Sequence, residues 1–265
     1  MLFVIDVGNT HIHLGVFQGN KLVANWDVSN DRSRTVDEMG LLFKSLLAES
    51  GLAPEALKGV SAACVVPPVC AGIEAAFKKY FGLETFFAGP ETERKILESF
   101  KNPGEVGADR IANAVGGFHR YGGPLIVVDF GTATTFDAVS SDGGYLGGAI
   151  APGLAISIEA LFDRAARLPR IELIRPPRAV AQDTVSGMQA GIIFGYAGLV
   201  EMLVRRIRRE IGEESDVVAT GGMAELIVRE TGVVEKVDQH LTLEGLRLIF
   251  ERRGGARALP RGGAN

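Results

Sequence analysis

FVIDVGNTHIHLGVFQGNKLVANWDV, residues 3–28, opens on an apolar run that stops at a single carboxylate. After Asp6 come Gly8, Asn9 and Thr10, then the alternating HIHLGVF, a Gly19-Asn20 turn and a third extended run. The pattern predicts strand, polar turn, strand, hairpin and strand. GPLIVVDFGTATTFDAVSSDGGYLGGAI, residues 123–150, repeats the theme, with Asp129 at the end of an apolar run and a hairpin at Asp142-Gly143-Gly144. Aligning Asp6 with Asp129 also aligns Gly8 with Gly131, an offset of 123 residues, close to half of the 265-residue chain. One duplicated α/β module accounts for this better than two unrelated domains.

The rest of each half fits such a module. TVDEMGLLFKSLLAES predicts a helix with Met39, Leu42, Phe43, Leu46 and Leu47 on one face, Thr35 as N-cap and Gly51 as stop. VSAACVVPP (60–68) reads as a strand closed by Pro67-Pro68, GIEAAFKKYFG as helix and ETFFAGP as strand. In the second half a long helix is predicted from about Thr184 to Glu210, carrying Gly187, Gly191, Gly195 and Gly198, which permit close approach of another backbone. DVVATGGMAELI (216–227) reads as strand, Gly-Gly turn and helix start. The expected organisation is an N-terminal lobe at 1–118, a C-terminal lobe at 119–254 and a flexible tail at 255–265.

An Asp at the end of a buried strand, followed by Gly, Asn and Thr, suits a phosphate-handling turn. Glycine lets the backbone approach an anion, N–H groups and the Asn and Thr side chains donate to phosphate oxygens, and the carboxylate holds a hydrated Mg²⁺. One such turn alone would be ordinary Asx-turn chemistry. Its recurrence in both halves, with a third Gly-rich turn later, favours the phosphate reading. No stretch fits G-x-x-x-x-G-K-[ST], and no G-x-G-x-x-G follows the first strand, so a P-loop or dinucleotide fold is disfavoured.

Composition excludes several classes. A net charge of −4 argues against general nucleic-acid binding, which needs a basic face, and RRIRRE (205–210) reads as a solvated helix face. The longest later apolar stretch, AGIIFGYAGLV (190–200), is shorter than the roughly 20 residues of a membrane span. Asp6 interrupts the N-terminal apolar run before a signal-peptide core can form. Cys64 and Cys70 are too few for a disulfide scaffold and read as buried apolar thiols of a reducing compartment, so a cytoplasmic location is expected. His11 and His13 alternate on a strand with no third ligand in sequence, which does not make a zinc site.

Two phosphate turns in duplicated lobes and a late Gly-Gly turn resemble the acetate and sugar kinase, Hsp70 and actin superfamily. That resemblance implies two ribonuclease H-like lobes in an actin-like ATPase fold, with ATP in a central cleft. A narrower match lies in DVGNT (6–10), NPGEVGADRIANAV (102–115), DFGTATTFDAV (129–139), GGAIAPG (147–153), DTVSGMQAGIIFG (183–195), ATGGMA (219–224) and LTLEGL (241–246). Together, in order over nearly the whole chain, these are similar to type III pantothenate kinases.

The family resemblance implies ATP-dependent phosphorylation of pantothenate, the first step toward coenzyme A, by a homodimer with pantothenate bound where the subunits meet. It assigns Asp6, Val7, Gly8, Asn9, Thr10, His11, Ile12 and His13 to the ATP phosphates, with Asp6 near Mg²⁺. His11 and His13 depart from the small polar residues common there. Gly107, Ala108, Asp109 and Arg110 match the pantothenate signature, with Asp109 as catalytic base and Arg110 offering a planar cationic fork to an acid. Phe100 stands where the family usually has a tyrosine that contacts substrate, and Thr184 maps to a further pantothenate contact. Asp129 is assigned to a monovalent cation, K⁺ or NH₄⁺, Thr132 to ATP, and Gly221-Gly222 to a backbone approach to adenosine. A kinase of the same fold acting on a sugar or another small acid, and a non-catalytic actin-like scaffold, are the competing readings.

Overall fold

The computed structural model describes residues 1–165 and 168–254, and the tail expected at 255–265 lies outside the described residues. Among the described residues ten strands form two five-stranded sheets. The first joins β1 (Leu2–Val7), β2 (His11–Gln18), β3 (Lys21–Ser29), β4 (Gly59–Cys64) and β5 (Thr85–Phe87) in the order β3-β2-β1-β4-β5. The second joins β6 (Leu125–Phe130), β7 (Ala133–Val139), β8 (Tyr145–Pro152), β9 (Asp216–Thr220) and β10 (Lys236–Val237) in the order β10-β9-β6-β7-β8. Read from opposite edges, the two orders are the same. β1 pairs antiparallel with β2 and parallel with β4, while β6 does the same with β7 and β9. The duplication read from the 123-residue offset is therefore a duplication of topology.

Seven α-helices lie among the described residues: α1 (Val36–Glu49), α2 (Pro67–Phe81), α3 (Ala108–Tyr121), α4 (Leu154–Arg164), α5 (Thr184–Ile211), α6 (Ala224–Val228) and α7 (Leu241–Arg252). Packing divides the chain into two units. One comprises Met1–Leu97, Lys101–Gly116 and the segment from Leu241 onward, and the other Glu98–Phe100 and Gly117–His240.

In the first unit, alternation along β1 sends Phe3, Ile5 and Val7 into a core shared with Met39, Phe43 and Leu47 of α1 and Ile73 and Phe77 of α2. The rings of Phe3, Phe43 and Phe77 meet at centroid separations of 5.0 to 5.7 Å, within the range where offset and edge-on aromatic pairs attract. Thr35 caps α1 in a reciprocal box with Glu38, as its spacing predicts. Pro67-Pro68 differ from expectation, since they open α2 instead of closing β4; a proline at the first helical turn has no N–H to leave unsatisfied.

Cys64 and Cys70 also correct the sequence reading. They are joined as a disulfide, their Cα atoms 5.9 Å apart, because the end of β4 and the first turn of α2 bring them together.

α7 departs from the expected domain division, which put it in the second lobe. It packs on β1, β2 and β4. Small residues make room for it: a Cβ on Gly15 would lie 3.1 Å from Leu243, and one on Gly59 would lie 2.4 Å from the Phe250 ring. Ser61 Oγ donates to the Leu246 carbonyl at 3.1 Å.

The core of the second unit gathers Ile126, Val128 and Phe130 of β6 with Val217 and Ala219 of β9 against α5. α5 is long and apolar enough by length and composition to cross a membrane. Its Ile193, Tyr196, Ala197, Val200 and Val204 are buried, and the Tyr196 hydroxyl donates to the Pro152 carbonyl at 2.7 Å. We read it as a core helix.

Candidate active site

The first turn follows β1. Its Gly8 N–H donates to the His11 carbonyl at 3.0 Å, closing a tight bend that exposes Asn9, Thr10 and His11. Asp6 is half-buried next to the end of β1, and Ile12 points into the core, so the eight expected phosphate-turn residues divide between bend, strand and core. Asp6 pairs across the sheet with His13, and His13 with Asp27, which sets three polar side chains in one cross-strand row. His13 Nδ1 hydrogen-bonds the Asp27 carboxylate.

Residues that sequence reasoning missed brace this bend. Asn30 N–H donates to the Thr10 carbonyl at 2.8 Å, and Asn30 Nδ2 to the Gly8 carbonyl at 2.7 Å. Arg32 Nη2 donates to Asn9 Oδ1 at 3.3 Å. The signal available was Ser-Asn-Asp after a strand, which reads as generic turn chemistry and does not say which backbone groups it ties.

The second turn, in the other unit, is built the same way and enclosed more tightly. Asp129 ends β6 half-buried, and Gly153 N–H donates to the Thr132 carbonyl at 3.1 Å. A Cβ on Gly153 would lie 2.0 Å from that oxygen, so only glycine fits there. Gly221, at φ 92°, packs its backbone on the same turn: an added Cβ would lie 2.7 Å from Asp129 Oδ1 and 2.8 Å from the Phe130 backbone. Gly221 thus lies against the Asp129 carboxylate itself.

The candidate base sits at the start of α3. Ile111 N–H donates to the Gly107 carbonyl at 3.1 Å, opening the helix, and Asp109 Oδ1 accepts from the Arg110 N–H at 2.9 Å. A Cβ on Gly107 would come within 2.3 Å of Asp109 Oδ1, which explains the glycine of GADR: the carboxylate folds back over position 107. Ala108 is buried and Asp109 and Arg110 are half-buried. One turn below Asp109, the same face of α3 meets α7. Thr242 Oγ1 donates to the buried Asn113 Oδ1 at 2.7 Å, and a Cβ on Gly245 would lie 1.9 Å from the Ala112 carbonyl. A Cβ on Gly116 would lie 2.6 Å from the Leu241 carbonyl. Asp109, Ala112, Asn113 and Gly116 follow i, i+3, i+4, i+7 spacing, so the α7 contact fixes the rotation of the helix that aims the carboxylate.

Two further expected residues belong to the second unit. The Phe100 ring packs 5.5 Å from that of Tyr145 and close to Gly147, at φ 110°. The Tyr145 hydroxyl is not a stand-in for the missing tyrosine hydroxyl, because it donates to the buried Asp137 carboxylate at 2.9 Å. Thr184 is exposed at the first position of α5; the N-cap is Asp183, whose carboxylate accepts from the Ser186 N–H at 2.9 Å. That hydrogen bond, with a second from the Ser186 hydroxyl, lowers the Asp183 pKa.

One family matches most of the chain. Residues 2–206 match the family described as type III pantothenate kinase. The chain belongs to the type III pantothenate kinases. Relatives called type III pantothenate kinase from Geobacter sulfurreducens and Pelobacter propionicus are each 50% identical over 252 residues, covering 95% of this chain and 99% of theirs. Solved structures add the fold. The inorganic polyphosphate/ATP-glucomannokinase of Arthrobacter sp. strain KM superposes with a TM-score of 0.53 at 14% identity, over 95% of this chain and 98% of that one. The activator of 2-hydroxyisocaproyl-CoA dehydratase from Clostridium difficile, solved with bound ADPNP, gives 0.50 at 14%, over 97% and 98%. The chain thus has the duplicated, actin-like architecture of the sugar kinases.

Proposed function

We infer that this chain transfers the γ-phosphoryl group of ATP to the primary hydroxyl of pantothenate, giving 4'-phosphopantothenate and ADP at the first step of coenzyme A synthesis. The membership of the family carries this reading, and the GADR helix start supplies its chemistry. The hydroxyl oxygen attacks the γ-phosphorus in line, the new O–P bond forms as the βγ-bridging bond breaks, and the Asp109 carboxylate accepts the hydroxyl proton. Arg110 donates to the pantothenate carboxylate from the N–H edge of its guanidinium, Gly107 and Ala108 bring backbone close to substrate, and Phe100 and Thr184 contact it.

On the nucleotide, residues 6–13 and Thr132 hold phosphate oxygens and Gly221-Gly222 approach the adenosine. Among the described residues no group of three or more His, Cys, Asp or Glu side chains gathers into a metal cage. Single carboxylates at Asp6 and Asp129 instead fit cations that take most of their ligands from phosphate and water. Asp6 would hold Mg²⁺ and Asp129, backed by Gly221, a monovalent cation, K⁺ or NH₄⁺. When bound, these ions offset phosphate charge that would otherwise repel both carboxylates.

We read the working form as a homodimer in the cytoplasm. What supports the dimer is one stripe of α5: Gly187, Gly191, Gly195, Gly198 and Met202 are all exposed, the last at 52%, and nothing lies within 4 Å of a Cβ built on Gly191, Gly195 or Gly198. Thr184 heads the same stripe at helical spacing, which fits pantothenate bound where subunits meet.

An acceptor panel tests the reading. ADP release coupled to an indicator reaction should require pantothenate, and turnover with a hexose or acetate but none with pantothenate would overturn it.

A further inference from the structure

Arg32 is a cation that the reading above does not use. The segment that carries it is folded against the first phosphate turn through the Asn30 and Arg32 hydrogen bonds to Gly8, Asn9 and Thr10. Its own shape is fixed: the Asp31 carboxylate accepts from Ser33 N–H at 2.9 Å and Ser33 Oγ at 2.7 Å, and Arg34 N–H donates to the Asp31 carbonyl at 3.2 Å. The neighbouring carboxylate is thereby committed to Ser33. Among the described residues Arg32 forms no ion pair, so its charge is not neutralised within the fold. By bonding Asn9 Oδ1, the guanidinium also turns the amide so that its donor, Nδ2, lies away from Arg32.

The internal duplication isolates what is special here. The offset of 123 residues places Asn30 opposite Gly153, and both donate their N–H to a threonine carbonyl of the turn, Thr10 in one unit and Thr132 in the other. The same offset places Arg32 opposite Ala155, which has no charge. Each turn carries one carboxylate, Asp6 or Asp129, and a triphosphate brings more negative charge to both. At this matched position one copy carries an arginine and the other an alanine.

We propose that Arg32 is a nucleotide-binding residue of this chain, its guanidinium taking oxygens of the ATP β- and γ-phosphates beside Asn9, with Asn30 bracing the turn that presents them. The assignment rests on the phosphotransferase reading. In a fold without a P-loop lysine, an arginine on the phosphates supplies charge where phosphoryl transfer needs it.

The test compares Arg32→Ala and Arg32→Lys with the wild-type chain. Calorimetric titration with ATP, ADP and AMP and steady-state kinetics with pantothenate are the readouts. Arg32→Ala is expected to weaken ATP binding about 10- to 100-fold and AMP binding less than about 2-fold, to lower kcat at least about 10-fold, and to leave the pantothenate KM within about 2-fold. Arg32→Lys should recover part of the ATP affinity. Equal loss for ATP and AMP, or ATP affinity and kcat both within about 2-fold of wild type, overturns the assignment. If the wild type binds ATP through Arg32 yet does not phosphorylate pantothenate, the acceptor reading falls and this assignment stands.

Discussion

At position 100 a single hydroxyl oxygen separates this chain's phenylalanine from the tyrosine that the family resemblance leads one to expect. A tyrosine there would restore a hydroxyl, and a neutral hydrogen bond contributes about 0.5–1.5 kcal/mol. Phe100→Tyr is therefore expected to lower the pantothenate KM about 2- to 10-fold with the ATP KM unchanged; an unchanged pantothenate KM would remove the ring from the substrate site. Asp129 makes a second prediction: kcat in Na⁺ buffers should rise on adding K⁺ or NH₄⁺, and Asp129→Asn should abolish the response, while indifference of the wild type to both ions refutes the cation role. Asp6, Gly8 and Gly131 were legible in the sequence because a carboxylate and a glycine at a strand end break an apolar pattern. Asn30 and Arg32 were not, because their partners are backbone and amide groups set by tertiary folding. The cysteines misled because six residues of separation do not say that a strand end and a helix start converge on them.

At the scale of elements, the LTLEGL segment was recognisable as a motif without a stated task. The structure assigns one: α7 lies on β1, β2 and β4 and docks the face of α3 that continues into Asp109. Gly245→Ala pushes a methyl group toward the Ala112 carbonyl, and overpacking of this kind costs about 1–3 kcal/mol. The milder Thr242→Val should lower kcat while leaving both substrate KM values near wild type, with Thr242→Ser restoring it; a fall in thermal stability with kcat intact would confine α7 to a structural role. The start of α5 has a pH signature. Because its hydrogen bonds lower the Asp183 pKa, the cap's contribution is present above the ordinary aspartate range near 3.8 and is lost as pH falls through the lower folded value. Asp183→Ala should lower Tm by a few degrees at neutral pH and less in strong acid, and an equal shift at both would deny the cap.

For the whole molecule, the repeat was readable because strand-end chemistry recurs at a fixed offset, whereas the assignment of α7 to the first unit depends on glycine clearances that no periodicity reports. The exposed α5 stripe predicts a dimer: sedimentation should give twice the mass of the 28.2 kDa chain, and Met202→Glu should shift it toward monomer. A monomeric wild type would remove that face from the account. Disulfides are rare in reducing compartments, so the Cys64–Cys70 bridge and a cytoplasmic location pull in different directions. Alkylation in rapidly quenched cells decides, with two labelled thiols expected for cytoplasmic protein and protection until reductant is added pointing to an oxidising one. Asp109 is proposed to accept the proton during phosphoryl transfer to pantothenate. A single-turnover measurement with γ-labelled ATP and pantothenate tests it on Asp109→Asn: the account predicts wild-type ATP affinity and 4'-phosphopantothenate formation slower by about 10²- to 10⁴-fold, and product formation at near wild-type rate would contradict it.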